Sequence, residues 1–233
     1  MAVTTGFHVS DEVRALGVRG VFVHLAGLTN RRSDPAFEAY KADLARRLRE
    51  VYDDDFVEND PVLAGFRTLH KKVGRSNKHF PAASEALVRL LRRKGIIPSI
   101  NLLVDIYNCV SLETRLALGA HDVTRVEGDI ALRLTDGSER FVPLGASAPE
   151  VVPAGEYGYV DGSNEILCRL DYKQVEKTRV TETTTEAFYI LQGHADTSGE
   201  VLEAALARLL ELTFAHCGGT TVTVWRESGS GTA

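Results

Sequence analysis

Cysteine, methionine and tryptophan are scarce in this chain, with three, one and one among 233 residues. Cys109, Cys168 and Cys217 are odd in number and widely spaced, which argues against a disulfide framework and against a zinc knuckle. No apolar run approaches the roughly 20 residues of a membrane-spanning helix. The opening MAVTTGFHVSDEV lacks the cationic and apolar regions of a secretory signal. These absences predict a cytoplasmic protein with no membrane contact. The common catalytic signatures are missing too: a phosphate loop, a glycine fingerprint after a strand, HExxH, paired CxxC and GxSxG. That weighs against nucleotide hydrolysis, hydride transfer and zinc or serine hydrolysis, and no metal or cofactor is expected.

What is present is ordinary globular material, 44% apolar and 25% charged. The net charge is −5, so no global basic field points to nucleic acid. Its distribution is uneven. Between Arg67 and Lys94, Arg67, Lys71, Lys72, Arg75, Lys78, Arg89, Arg92, Arg93 and Lys94 face Glu85 alone, on an otherwise acidic chain. Such a segment is either a solvated amphipathic face or a phosphate track, with His70, His79 and Phe80 able to stack on unpaired bases.

RGVFVHLAG (19–27) is short, β-branched and glycine-bounded, which predicts a buried strand. A helix follows, capped by Ser33 or Asp34 with Pro35 in its first turn. The basic segment carries a second helix over about 83–94, ended by Gly95. A third starts near Ser99 with Leu102, Leu103, Ile106 and Val110 inward. From Asp129 the period turns to two. DIALRLT, Asp136-Gly137 and ERFVPLG predict a hairpin, and YGYV, Asp161-Gly162 and EILCRL another. AFYILQG and TTVTVWR read as strands flanking a long helix that ends at Gly218-Gly219. The class is α+β: helices packed on mixed, largely antiparallel sheets. It is divided as one domain over 1–226, with a strand–helix lobe (1–60), a core (61–193), a closing helix and strand (194–226), and a flexible tail (227–233).

Three stretches concentrate chemistry. In INLLVDIYNCVSLE, Asn101, Asp105 and Asn108 fall on one helical row, which faces water, ties down backbone or lines a cavity. In LALGAHDVTRVEGDI, Gly119 leaves its amide unshielded, His121 titrates near neutrality, and Asp122, Glu127 and Asp129 follow. RLDYKQVEKTRVTETTTEA offers Arg169, Gln174, Lys177, Thr178, Arg179 and Thr181 as either a solvated loop, with Thr181 or Thr183 bonding its own backbone, or a polar pocket wall.

Taken in order, FPAASEAL, INLLVDIYNCVSLE, LALGAHDVTRVEGDI, FVPLG and EKTRVTETTTEAFYILQG resemble the B3/B4 domain, the tRNA-editing module of the phenylalanyl-tRNA synthetase beta subunit, in a freestanding form. The resemblance is firm over about residues 66–193. It implies a pocket that hydrolyses the ester between a wrong amino acid and the terminal adenosine of tRNA, so that aminoacylated tRNA is the expected partner. Carried over by residue, the pocket comprises Asp105, Tyr107 and Asn108, then Ala117, Gly119 and Asp122, then the Leu191-Gln192 end of a strand. This chain departs from the synthetase module in three places. Gly119 stands where that module has histidine, Tyr107 where it has threonine, and Leu191 or Gln192 where it has the glutamate that reads a tyrosyl phenol. A bulkier wall without a carboxylate disfavours a tyrosyl group and points to a smaller or differently polar one, such as a threonine-like group.

On that reading Asn108 and the Gly119 and Ala120 amides orient ester and water, and Asp122 or Glu127 holds the substrate amine. His121 is the one candidate base. Ser111, Ala117, Arg169, Gln174, Thr178 and Gln192 complete the walls, and Lys71, Lys72, Arg75, Lys78, Arg89, Arg92, Arg93 and Lys94 track the tRNA. The rivals are a non-catalytic tRNA- or RNA-binding module of the same fold, and a small-molecule enzyme that has left tRNA altogether.

Overall fold

The computed structural model describes residues 5–227. The first half runs β1 (Phe7–Val9), α1 (Asp11–Leu16), β2 (Arg19–Ala26), α2 (Pro35–Val51), α3 (Asp54–Asn59), α4 (Pro61–Lys72), α5 (Ala83–Lys94) and α6 (Leu102–Thr114). The second runs β3 (Ala117–Asp122), β4 (Ile130–Leu134), β5 (Tyr157–Val160), β6 (Ile166–Arg169), β7 (Lys173–Gln174), β8 (Glu186–Gly193), α7 (Gly199–Cys217) and β9 (Thr220–Glu227). The α+β class read from the sequence is the class observed.

Local chemistry explains most boundaries. The Asp34 carboxylate accepts from the Ala36 and Phe37 amides with Pro35 in the first turn, and Asp60 before Pro61 repeats the device on α4. Gly95, at φ 72°, ends α5 in the left-handed region that glycine enters without strain. Ser99 is not the cap of α6. Asn101 takes that position, accepting from the Val104 amide, while the Ser99 hydroxyl is engaged by Lys41 Nζ at 2.6 Å.

Two sheets form. The four-stranded sheet has the order β3-β8-β2-β9 and is antiparallel throughout. The five-stranded sheet has the order β1-β4-β5-β6-β7, with β1 and β4 parallel and the other pairs antiparallel. Alternation sorts the four-stranded sheet's side chains. Val21, Val23, Leu25, Leu118, Ala120, Tyr189 and Leu191 join the helices in one buried cluster, while Phe22, Phe188 and Ile190 meet the five-stranded sheet in a second. The result is three layers, helices on sheet on sheet. The N-terminal strands are woven into both sheets, with β2 central in one.

The β5–β6 hairpin is as expected, with a register shift at Tyr159/Val160. The hairpin expected over 129–144 does not form. The Glu139 carboxylate folds under the Asp136-Gly137 turn, accepting both amides at 3.0 Å and pairing with Arg133 at 2.5 Å. ERFVPLG therefore leaves as a loop and β4 pairs with β5 instead. At the C-terminus, β9 runs through Glu227, and the rest of the expected tail, 228–233, lies outside the described residues.

Candidate functional site

β3 is an edge strand, and its outer side faces β7 and the loop around Leu144. Two observations set the direction of its peptide groups. The Asp122 amide donates outward to the Thr178 carbonyl at 2.9 Å, and the Ala120 carbonyl accepts from Gln174 Nε2 at 3.5 Å. Antiparallel alternation then turns the Leu118 and Ala120 amides to the same open side and points the Gly119 amide at Ile190 of β8. Gly119 serves by lacking a side chain: a Cβ there would lie 2.4 Å from Gln174 Nε2, so glycine is what lets that carboxamide cross the strand.

Along this edge lie two cavities. The inner one, about 290 Å³, is walled by Tyr107 and Asn108 of α6, Ala117 to Gly119 of β3, Tyr159, Cys168, Ile190 and Gln192 from the sheets, and Asp171 to Gln174. The outer one, about 440 Å³, opens between Arg32, Asn101, Ala120, Glu176, Arg179, Thr181 and Glu182. Tyr107, Leu144 and Gln174 belong to both. They form a partition across one continuous groove.

The floor of the inner cavity is a buried hydrogen-bonded chain. His70 directs Nδ1 at the Phe80 carbonyl (2.8 Å) and Nε2 at Asp171 Oδ1 (2.9 Å). Both ring nitrogens face acceptors, so both donate, and the imidazolium is the form that fits an ionised Asp171. Burial alone would lower the His70 pKa, but the charge and hydrogen bond of Asp171 outweigh it and raise it. Asp171 Oδ2 also accepts from the Tyr157 hydroxyl (2.8 Å) and Gln192 Nε2 (3.2 Å), and Gln192 Oε1 accepts from the Tyr159 hydroxyl (2.6 Å). Leu170, just before Asp171, sits at φ 55°, a left-handed conformation that a leucine holds only when its surroundings impose it.

Of the residues expected in the site, Tyr107, Asn108, Ala117, Gly119, Gln174 and Gln192 meet at the inner cavity and Ala120 at the outer. Gln192, not Leu191, faces the site, because Leu191 points into the helical core. The other expectations need correction, since the remaining residues border neither cavity. His121 is sealed behind β3 with Nδ1 on the Thr178 hydroxyl (2.8 Å) and Nε2 unpartnered, and burial pushes its pKa down to about 4. Asp122 is spent on Thr124 and Thr184, and the Ser111 hydroxyl on the Leu116 carbonyl. Asp105 holds Lys41 Nζ and the Ile100 amide, both at 2.8 Å, so with Asn101 it ties down backbone. Glu127 is exposed against Lys177, and Arg169 grips Glu156 at 2.6 and 2.8 Å. The Gly119 amide, expected as a donor to the ester, is used in the β3–β8 ladder.

A family model described as the B3/4 domain matches residues 66–217. The chain belongs to that family. A similar solved structure is an N-terminal fragment of the phenylalanyl-tRNA synthetase beta subunit from Pyrococcus horikoshii, with TM-score 0.50 and 16% identity. The alignment covers 94% of this chain and 50% of that one, so the chain spans half the length of that fragment, and at this identity the likeness is one of fold. No curated protein matches the chain.

In this B3/4 chain about half of the cationic segment is paired, partly with Glu85 inside it and partly with acids outside it. Buried Glu85 takes Arg67 and Arg89, Asp54 takes Arg92 at 2.5 Å, Glu156 takes Arg75, and Lys72 donates to the Leu16 carbonyl. Lys71, Lys78, Arg93 and Lys94 are exposed and make no ion pair among the described residues. No group of three or more metal-ligating side chains occurs among those residues, and no helix there is long and apolar enough to cross a membrane. Sequence reasoning missed Asp171, Tyr159, Cys168 and Arg32. Asp171 stood inside a flagged polar segment, and its turn carries no glycine to mark it. The buried Cys168 thiol donates to the Leu170 carbonyl at 3.4 Å, and burial pushes its pKa up.

Proposed function

We propose that this B3/4 chain is a trans-acting aminoacyl-tRNA deacylase that hydrolyses the ester of a mischarged tRNA. The observation that carries the reading is the partitioned groove: an inner chamber sized for an acyl side chain adjoins, across Tyr107, Leu144 and Gln174, an outer chamber that carries charged side chains at its rim. The ester would lie at the partition. There the Leu118 and Ala120 amides face outward beside the Asn108 and Gln174 carboxamides, a donor set suited to a developing oxyanion and its attacking water. Glu182 of the outer chamber replaces Asp122 and Glu127 as partner for the substrate ammonium group, beside Glu176, which is held by Arg179 and the Gly145 amide.

Water adds to the carbonyl carbon, the ester C–O bond breaks, and the departing ribose oxygen takes up a proton to leave as a hydroxyl. An aminoacyl ester is already activated, so positioning supplies most of what the reaction needs. With His121 sealed away, the neighbouring ribose hydroxyl of the substrate relays the proton, accepting one from the attacking water as it gives its own to the departing oxygen. Outside the site, Lys71, Lys78, Arg93 and Lys94 offer the tRNA backbone its unpaired cations.

A deacylation screen over a panel of mischarged tRNAs, with free amino-acid esters as controls, tests the reading. Ester loss above the uncatalysed rate for part of the panel, slowed by Asn108→Ala and Gln174→Ala at unchanged thermal midpoint, is expected. Equal binding of charged and uncharged tRNA with no ester loss would overturn it in favour of a non-catalytic binding module.

A further inference from the structure

We infer that the inner cavity selects an acyl side chain whose far end is apolar, and that Tyr159 contributes to this by occupying the Gln192 carboxamide oxygen; the inference rests on the deacylase reading and narrows its substrate. The direction of donation along the floor follows from a single buried carboxylate. His70, Tyr157 and Gln192 Nε2 all donate to Asp171, which fixes the Gln192 amide with its nitrogen toward Asp171 and its oxygen toward Tyr159. The Tyr159 proton then goes to Gln192 Oε1 at 2.6 Å. Tyr159 and Gln192 are each 0% exposed, and Asp171, 5% exposed, already takes three donors on its two oxygens, so the polar atoms of the floor are engaged with one another.

Beside the engaged Asp171, the surface around the floor is made by Cys168, Ile190, Ala117 and Leu118. A hydroxyl driven against that surface loses its water partners and gains none. The less buried polar groups of the lining, Asn108 on α6 and Tyr172, Lys173 and Gln174 at β7, lie away from this surface. The threonine-like group expected from the sequence is therefore replaced by an aliphatic or unhydroxylated aromatic one.

The test uses isosteric pairs that differ by one hydroxyl, phenylalanyl against tyrosyl and valyl against threonyl. Each is presented as mischarged tRNA for hydrolysis and as the non-hydrolysable 3′-aminoacylamino-3′-deoxyadenosine for calorimetric binding. Both readouts should favour the apolar member about 10- to 100-fold. Tyr159→Phe, which exposes Gln192 Oε1 and the space of the lost hydroxyl, should narrow the phenylalanyl/tyrosyl ratio about tenfold. Binding shows this even if hydrolysis is impaired, and circular dichroism confirms that the variant is folded. Equal or tighter handling of the hydroxylated members by the native chain, or an unchanged ratio in folded Tyr159→Phe, would overturn the inference while leaving the deacylase reading intact. Loss of no ester together with binding of neither analogue would overturn both.

Discussion

The inner cavity and the outer groove share Tyr107, Leu144 and Gln174, and both have largely apolar walls, but they hold their polar groups differently. Polar atoms at the inner floor are buried and bonded to one another, so the surface they leave is apolar. Those of the outer groove sit on exposed or half-buried side chains, Arg32, Arg179, Thr181 and Glu182 among them, that meet water. A closed network holds a shape and discriminates, whereas an open set of charges attracts a ligand but reads little of it. The partition is where the two regimes meet, and it is the part of the site that chemistry would use.

The sharpest break of this contrast is Asp171→Ala. It leaves the His70 imidazolium, Tyr157 and Gln192 without an acceptor and should cost about 3–5 kcal/mol in denaturant unfolding. Arg179→Ala in the outer groove should change stability by less than about 0.5 kcal/mol.

Proton linkage separates buried groups in the same way. His121, with its pKa held down to about 4 against 6.5, is neutral in the fold, so stability drops as pH falls from 6.5 to 4, by about 3 kcal/mol if it acts alone. His121→Asn should flatten that limb in a pH series of unfolding free energies. His70 has the opposite sign. Its pKa is raised, so its contribution is complete below pH 6.5 and is lost as pH rises through its folded pKa.

At the partition, Gly119→Ala forces the Gln174 carboxamide off the strand. It should cost about 1 kcal/mol of stability and lower ester hydrolysis about tenfold, assayed side by side. The smallest effect is expected on the cationic ridge. Arg93→Gln with Lys94→Gln should leave stability within about 0.5 kcal/mol and reduce the salt slope of tRNA binding by about 2 in a filter-binding series. Arg67→Gln is the contrasting variant: it leaves buried Glu85 short of a partner and acts on folding instead.

Much of the site's framework was readable because its signals are local. Pro35 after Asp34 and Gly95 after Lys94 mark helix ends through their own backbone geometry, and the alternation of AFYILQG already puts Leu191 and Gln192 on opposite faces. What could not be read was which polar residues the fold would spend. His121 and Asp122 looked alike to Asn108 in sequence. Only the pairing of β3 with β8 and the closure of residues 178–184 over its end sealed the first two and left the third open. The cationic segment looked like a bare charge track, because the carboxylates that neutralise Arg75 and Arg92 lie far along the chain.

The sequence by itself determined the α+β class, most element boundaries and the stretches from which the groove is built, since capping, periodicity and turn chemistry act over a few residues. The tertiary structure decided that ERFVPLG leaves β4, that Gly119 serves by its missing side chain and not its amide, and that His70 and Asp171, 101 residues apart, close the cavity floor. Those outcomes depend on which groups burial brings within hydrogen-bond reach of one another, and such distances are set by packing across the whole domain.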